Sequence, residues 1–209
     1  MRIFITGATG MVGTRLVASL LSQDHEVVAI TRNSDLAGKY FKRRNKSTSM
    51  KIIEGDITEK GAWQEVAAEC DAIVHLAGAG IVDCRWTKSY KKILKKSRID
   101  STKNVAAVAR KTLVCASATG FYGDRSDQKL TEMDSVGDGF LADLCKEWEQ
   151  AASGAVGRVV CLRFGMVLDS SGGVFAKMQR FFMYGLGGSL GSGKQYWPWI
   201  AWQDACSII

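Results

Sequence analysis

Short apolar runs alternate, along most of the 209-residue chain, with segments whose apolar residues recur every three or four positions. The short runs are rich in β-branched residues and predict strands at 2–6, 26–31, 51–55, 72–77, 112–117 and 158–165. The helical spacing predicts helices at about 11–22, 60–69, 86–110 and 139–153, with a basic loop before the third strand. Near-continuous apolar strands separated by helices indicate an α/β fold, in which a doubly wound parallel sheet carries helices on both faces.

A glycine-rich turn follows the first predicted strand. The stretch "FITGATGMVG" places Gly7, Gly10 and Gly13 at the end of that strand and in the start of the helix. The first glycine permits a tight turn, the second lets the backbone approach a pyrophosphate, and the third lets helix and strand pack closely. The helix N-terminus attracts the anion. This context predicts a Rossmann-type dinucleotide site, whose contacts also include the intervening residues Thr9, Met11 and Val12.

The end of the second predicted strand bears on the choice of coenzyme. It carries Thr31 and Arg32, where an NAD enzyme would offer a carboxylate to the ribose 2′-hydroxyl. A carboxylate would repel a 2′-phosphate, whereas an arginine pairs with it. The alternative is that Arg32 is an ordinary surface arginine at a strand end. The missing acid favours NADP(H), and basic residues at 42–44 could add to the phosphate site.

The glycine spacing, G-x-x-G-x-x-G, resembles that of the extended, epimerase-like branch of the short-chain dehydrogenase/reductase superfamily. "GDIT" at 55–58 and "HLAG" at 75–78 fit the same resemblance. It implies that Asp56 and Ile57 flank the adenine of the cofactor. It also implies that Leu76, Ala77 and Gly78 line the cofactor's backbone.

Later segments narrow the resemblance, and it then extends over the whole chain. They include "SRIDST" (97–102), "SATGFYGD" (117–124), "LRFGMVL" (162–168) and the glycine-rich run that ends in "YWPWI" (196–200). Together they are similar to epimerase-family proteins of the SDR39U-like group, which are NADP-dependent oxidoreductases. The resemblance implies further cofactor contacts at Arg98, Phe164 and Gly165.

Members of that group continue beyond the length of this chain. We therefore expect residues 1–165 to form an NADP-binding Rossmann domain, and residues 166–209 to be the start of a substrate-binding region that is truncated here.

The usual catalytic pair of the superfamily is absent from the sequence. In that pair, Tyr-x-x-x-Lys, the lysine lowers the pKa of the tyrosine so that it can exchange a proton. Aligning Glu149 with the acidic residue that usually follows the lysine puts Leu141 in the tyrosine position and Cys145 in the lysine position. Cys145 is interpreted as a buried packing residue, because nothing nearby in sequence would lower its pKa.

Other residues of the expected site are present. Ser117 occupies the position whose hydroxyl binds a substrate oxygen, and Tyr122 is the nearest phenol that could act as the acid. Each has a plainer interpretation, as a strand-end serine bonded to backbone and as a packing aromatic. Arg98 falls in the position of a structural asparagine and could contact a phosphate or a substrate carboxylate. Arg85 and Trp86 could close over the nicotinamide or the substrate.

Composition and charge limit the remaining classes. Hydrophobic residues make up 46% of the chain and no run approaches the roughly 20 apolar residues that span a bilayer, so we expect an intracellular protein, cytoplasmic or in an organelle. Six scattered cysteines and two histidines show no zinc spacing, and no metal is expected. The net charge of +7 is concentrated at 39–46 and 91–96, which we interpret as solvated surface rather than a nucleic-acid site.

Two functions follow from the sequence. The first is an NADP(H)-dependent oxidoreductase or epimerase-like protein that moves a hydride between the nicotinamide and a carbonyl or alcohol substrate of unknown identity. The alternative is a catalytically inactive NADPH-binding protein with a regulatory or scaffolding role, for example in organelle or cell division. A homodimer that pairs through the helices at 86–110 and 139–153 is a further expectation.

Overall fold

A computed structural model describes residues 1–43, 49–189 and 191–209. Six strands form one parallel sheet in the order β3-β2-β1-β4-β5-β6. The strands are β1 (Arg2–Thr6), β2 (Glu26–Thr31), β3 (Met50–Glu54), β4 (Ala72–His75), β5 (Thr112–Ala118) and β6 (Arg158–Phe164). This order is that of a doubly wound Rossmann sheet, so the predicted fold class is confirmed.

Helices cover both faces of this sheet. The helices of the described residues are α1 (Met11–Ser22), α2 (Ser34–Lys42), α3 (Trp63–Ala68), α4 (Lys88–Lys95), α5 (Ser101–Ala106), α6 (Phe140–Ala152), α7 (Gly173–Met183) and α8 (Trp202–Ser207), of which α7 and α8 pack on the small sheet described below. Alternate residues of β1 show the two layers. Phe4 packs with Trp63 and Trp148 on one face, whereas Ile3 and Ile5 pack with α1 and α2 on the other. Each face therefore has its own apolar core.

The predicted basic loop before β3 is wrong in its first part, because α2 occupies residues 34–42. The side chain of Asn33 caps this helix by accepting a hydrogen bond from the Leu36 amide at 2.9 Å. Ala37 and Phe41, four residues apart, are buried against the sheet. The N-cap and this apolar spacing were helix signals that the lysine-rich composition obscured.

The long helix predicted at 86–110 is interrupted. Helix α4 ends at Lys95, a π-helical turn spans Lys96–Asp100, and α5 follows and ends at Ala106. A π turn carries one residue more than an α turn and occurs frequently at functional sites. Here the turn lies beside the segment that follows β4, because the Ser97 hydroxyl accepts a hydrogen bond from the Ala79 amide at 3.1 Å.

Residues beyond β6 form a separate two-stranded sheet and two helices. Strand β7 (Met166–Leu168) pairs in parallel with β8 (Trp199–Ala201), and α8 packs against α1. The ring of Trp202 lies 4.7 Å from the guanidinium carbon of Arg15. The division into domains at residue 165 stays a prediction. No helix in the described ranges is both long and apolar enough to cross a membrane.

Candidate functional site

A cleft of about 530 Å³ opens at the carboxyl ends of β1 to β4. Its walls are the segments that follow these strands, together with the end of α4 and the start of the π turn. The cleft brings together most of the residues predicted to hold a cofactor: Gly7, Thr9, Gly10, Thr31, Arg32, Asp56, Ile57, Leu76, Ala77 and Gly78. Such a crevice, where the strand order reverses between β1 and β4, is where open α/β sheets bind ligands.

The glycine turn packs more tightly than any side chain would permit. Gly7 has φ +71°, and a Cβ built on it would lie 2.8 Å from the amide nitrogen of Ala77. A Cβ on Gly13 would lie 2.2 Å from the Gly7 carbonyl oxygen. The first glycine therefore allows the turn to touch the segment after β4, and the third allows α1 to pack on the turn.

The N-terminus of α1 is open toward an anion. Gly10 is its N-cap and provides no side-chain cap, and the first turn contains no acidic residue. The first amides of a helix have no partner within it, so those of Met11 and Val12 are available to a ligand. The Met11 side chain lines a neighbouring cavity of about 650 Å³ between α1, α2 and residues 171–173.

At the other end of the cleft, charged residues from β2 and β3 come together. Arg32 is exposed and lies beside Asp56. Asp56 Oδ1 accepts hydrogen bonds from the amide and hydroxyl of Thr58, both at 2.8 Å, and these bonds lower the pKa of Asp56 below its ordinary value. Arg32 lowers it further. Of the basic residues at 42–44, the first two are exposed and Arg44 lies outside the described residues.

A buried histidine joins the two segments that form the cleft. His75 Nδ1 lies 2.7 Å from the Thr6 hydroxyl, which also accepts a hydrogen bond from the Ala77 amide at 3.3 Å. His75 Nε2 lies 3.2 Å from the Ser101 hydroxyl. Burial, and to a smaller extent the charge of Arg98, lower the pKa of His75 to about 4, so the ring is neutral. Sequence analysis missed this role because the partners of His75 come from β1 and α5.

Six predicted cofactor residues are not among those that line the cleft: Met11, Val12 and Gly13 of α1, and Arg98, Phe164 and Gly165. Arg98 lies behind its wall, 7% exposed, and its Nη1 donates to the Ala79 carbonyl at 2.9 Å. Phe164 and Gly165 lie at the end of β6, where a Cβ on Gly165 would approach the Pro198 carbonyl oxygen to 2.7 Å. As cofactor contacts, these six residues stay predictions, and so do the ten that line the cleft.

The two candidate catalytic side chains belong to one hydrogen-bonded network. The Ser117 hydroxyl donates to Glu149 Oε1 at 2.6 Å. Arg163 donates to both oxygens of Glu149, at 2.9 Å each, and its Nη1 donates to the Tyr122 oxygen at 2.8 Å. The hydrogen bonds to Glu149 and Tyr122 raise the pKa of Arg163 above its ordinary value, although partial desolvation opposes this rise. Neither Ser117 nor Tyr122 is among the residues lining the cleft, and their catalytic roles stay predictions.

Leu141 and Cys145, which the alignment puts in the positions of the missing pair, pack near Gly120. A Cβ on Gly120, in the turn that carries Tyr122, would lie 3.5 Å from Leu141 Cβ and 4.0 Å from Cys145 Sγ. Cys145 is buried, and burial raises the pKa of its thiol. Trp86 packs its ring on Phe140 at 5.7 Å. Cys145 is therefore a neutral thiol, as the sequence predicted.

Comparison with known families now identifies the kind of protein to which this geometry belongs. Residues 3–139 match the model of the NAD dependent epimerase/dehydratase family, described in those words. The chain belongs to this family. The match covers the glycine turn, the cleft and the turn that carries Tyr122. The resemblance to an extended short-chain dehydrogenase/reductase is thereby confirmed.

Individual relatives place the chain within the epimerase/dehydratase family. An epimerase family protein of Mycobacterium tuberculosis (strain CDC 1551 / Oshkosh) is 37% identical over 212 residues, which cover 97% of this chain and 65% of the relative. A chloroplastic SDR39U1 homolog of Arabidopsis thaliana is 36% identical over 219 residues, covering 100% of this chain and 61% of the relative.

A crystal structure of the human epimerase family protein SDR39U1 (isoform 2) with NADPH superposes with a TM-score of 0.79. It is 30% identical, and the match covers 100% of this chain and 68% of that one. This chain thus spans about two thirds of the length of the relatives it matches. The predicted resemblance to the SDR39U-like group is confirmed.

Proposed function

We propose that this chain is part of an NADP(H)-dependent oxidoreductase that transfers a hydride to or from a carbonyl or alcohol substrate. The observation that carries the proposal is the cleft itself, in which a glycine turn and an uncapped helix N-terminus face Arg32 at the end of β2. The similarity to human SDR39U1, whose crystal structure is with NADPH, supports the same cofactor here.

The residues present fit NADP(H). The backbone at Gly10 lies open, since among the described residues a Cβ there would approach only the Gly7 oxygen, at 3.2 Å. A pyrophosphate can thus approach the amides of Met11 and Val12. Ile30 and Ile57 offer apolar walls for an adenine, and Arg32 offers a partner for a 2′-phosphate.

The chain's own groups would orient the reactants. NADP(H), when bound, supplies a hydride donor or acceptor at the nicotinamide ring. Tyr122 accepts a hydrogen bond from Arg163 and so keeps its own phenolic proton for a substrate oxygen. Ser117 is held by Glu149 at the end of β5, beside the segment that follows β4. Tyr122 would thus take the proton-transfer role of the missing tyrosine, and Arg163 would hold it in place.

Titration with NADPH and NADH, followed by nicotinamide fluorescence, tests the cofactor. We expect NADPH to bind at least about ten-fold more tightly than NADH, and Arg32→Ala to weaken NADPH by about ten-fold or more while NADH is unchanged. Arg110→Ala is the matched control, because Arg110 is exposed and precedes β5 at the opposite edge of the sheet. Failure of both nucleotides to bind at micromolar concentrations would contradict the proposal.

A second function has its own support. The alignment puts Leu141 and Cys145 in the positions of the catalytic pair, and the Ser117 hydroxyl already donates a hydrogen bond to Glu149. These contacts favour an inactive NADPH-binding protein with a regulatory or scaffolding role. NADPH that binds to the wild type, but is never oxidised with a broad panel of aldehydes, ketones and oxo acids, would favour this second function over the first.

The homodimer stays a prediction, to be tested by sedimentation. The two candidate segments, 86–110 and 139–153, already meet within one chain, where α5 packs on α6 and Lys95 Nζ pairs with Glu147 Oε1 at 2.5 Å.

A further inference from the structure

Arg98 is a buried cation without an anionic partner among the described residues. It lies in the π turn and is 7% exposed. Its Nη1 donates to the carbonyl oxygen of Ala79 at 2.9 Å, and its guanidinium carbon lies 5.0 Å from the centre of the Trp148 ring. None of the ion pairs that the described residues form includes Arg98. A carbonyl and an aromatic face offset only part of the loss of hydration around a guanidinium.

The titratable groups whose negative charge would stabilise Arg98 do not supply that charge. These groups are Cys145 and Tyr90, and burial raises the pKa of both above their ordinary values. A thiol and a phenol with raised pKa values are neutral at physiological pH. Arg163, by contrast, lies beside α6 as well and is balanced by Glu149. The contrast indicates that Arg98 is kept charged for a ligand rather than for an internal ion pair.

The position of Arg98 shows which part of the cleft such a ligand would occupy. A Cβ built on Gly78 would lie 3.2 Å from the guanidinium carbon and 3.4 Å from both terminal nitrogens. Gly78, Ala79 and Ser97 all line the cleft. This is the β4 end, whereas Arg32 belongs to β2, two strands away across the sheet. Adjacent strands lie about 4.8 Å apart, so the two arginines serve different ends of the cleft.

We infer that Arg98 binds an oxyanion of the substrate, a carboxylate or a phosphate, so that the molecule oxidised or reduced in this site is an anionic carbonyl or alcohol compound. The inference rests on the proposed function, because it assigns Arg32 and the glycine turn to NADP(H) and Arg98 to the second reactant. The planar guanidinium suits such a group, since it can donate two parallel hydrogen bonds to a carboxylate or a phosphate.

Thermal unfolding without nucleotide provides the first test. A guanidinium that serves the fold would stabilise it, so Arg98→Met would lower the unfolding midpoint by several degrees and overturn the inference. If the charge of Arg98 is instead held for a ligand, the unfolding midpoint of Arg98→Met should be unchanged or raised. Millimolar oxalate or inorganic phosphate should then raise the midpoint of the wild type and not that of Arg98→Met. Lys92→Met, on the exposed side of α4, is the matched control and should respond like the wild type.

Anion binding to the NADPH-loaded protein provides the second test. The probes are oxalate, inorganic phosphate and uncharged oxamide, followed through nicotinamide fluorescence. We expect oxalate or phosphate to bind and oxamide not to bind. Arg98→Met should weaken the binding of the anion by about ten-fold or more, and Arg98→Lys should recover part of the affinity. Tighter binding of oxalate would indicate that the substrate oxyanion is a carboxylate, and tighter binding of phosphate would indicate a phosphate. Equal effects of oxalate and oxamide would overturn the inference.

The two proposals fail in different ways. Arg98→Met could weaken the binding of NADPH by about ten-fold while 2′,5′-ADP binds as before. Arg98 would then hold the nicotinamide half of the coenzyme, and the inference would be overturned although the proposed function stands. If the wild type binds no nucleotide, the proposed function fails. The anion-dependent shift of the unfolding midpoint still decides the role of Arg98, because it needs no coenzyme.

Discussion

Arg163 holds Glu149 in a two-pronged ion pair, with Nε 2.9 Å from Oε1 and Nη2 2.9 Å from Oε2. The pair joins β6 to α6 and is largely buried, with side chains 20% and 17% exposed. Ser117 bonds to its acidic member and Tyr122 to its basic member. One ion pair thus positions both candidate catalytic hydroxyls.

Glu149→Gln should lower the free energy of unfolding by about 3 kcal/mol, because it leaves the Arg163 guanidinium without its counter-charge in a mostly buried place. Urea denaturation measures the change. Glu147→Gln is the matched control on the same helix, since its ion pair with Lys95 is 42% exposed on both sides and should change stability by less than about 1 kcal/mol. Equal losses in the two variants would contradict a special role for the Glu149 pair.

Ser117→Ala and Tyr122→Phe should separate chemistry from cofactor binding. We expect each variant to bind NADPH within about two-fold of the wild type, and to oxidise it at least about 100-fold more slowly with any carbonyl substrate that a screen identifies. Fluorescence titration measures the affinity for NADPH, and the rate of NADPH consumption measures the activity. Full activity in Tyr122→Phe would remove the phenol from the mechanism and leave the proton to water or the substrate.

Gly13→Ala should destabilise the fold strongly, whereas Gly38→Ala should not destabilise it. A Cβ on Gly13 would sit 2.2 Å from the Gly7 carbonyl oxygen, so α1 must move away from the turn, with a loss of about 2 kcal/mol or more and of nucleotide binding. Gly38 lies in α2, no atom of the described residues comes within 4 Å of such a Cβ, and alanine there should stabilise the fold by up to about 1 kcal/mol. Thermal unfolding and NADPH titration of both variants test the pair.

His75 should make stability depend on pH in a defined window. Its pKa is about 4 in the folded protein, against an ordinary value of 6.5. Between these values the unfolded chain binds a proton that the folded chain does not, so stability falls as the pH falls, by about 3 kcal/mol in all. Above pH 6.5 both states are neutral at this residue and the contribution is constant.

The measurement is the free energy of unfolding at several pH values, for the wild type, His75→Gln and the control His25→Gln. We expect the first replacement to flatten the profile between pH 6.5 and about 4 and the second to leave it unchanged. Parallel profiles for the wild type and His75→Gln would show that the ring is protonated as readily in the folded state as in the unfolded one.

Much of the sheet could be predicted from the sequence because buried parallel strands leave a local signature. The six predicted strands lie within two residues of the observed bounds, for example 51–55 against Met50–Glu54. The glycine turn was equally local, since its three glycines follow β1 directly. The π turn at 96–100 was not predictable, because the apolar spacing of a helix does not reveal one additional residue in a single turn.

The ion pair of Glu149 and Arg163 was beyond sequence analysis for a different reason. Ser117 and Arg163 face each other only because β5 and β6 are neighbours in a register that pairs these two positions. No local pattern reports which strand lies beside which, or where a side chain from α6 meets them. The same holds for His75, whose two partners are 69 and 26 residues away.

The reversal of strand order also has a mechanical consequence. The half-sheet β3-β2-β1 joins the half-sheet β4-β5-β6 along one seam, of only four residue pairs from Ile3↔Ala72 to Thr6↔His75. The cleft lies across this junction, with Arg32 and Asp56 on the side of β2 and β3 and with Gly78 and Ser97 on the side of β4. A dinucleotide lying across it would therefore link the two halves, and would strengthen one of the two shortest junctions of the sheet.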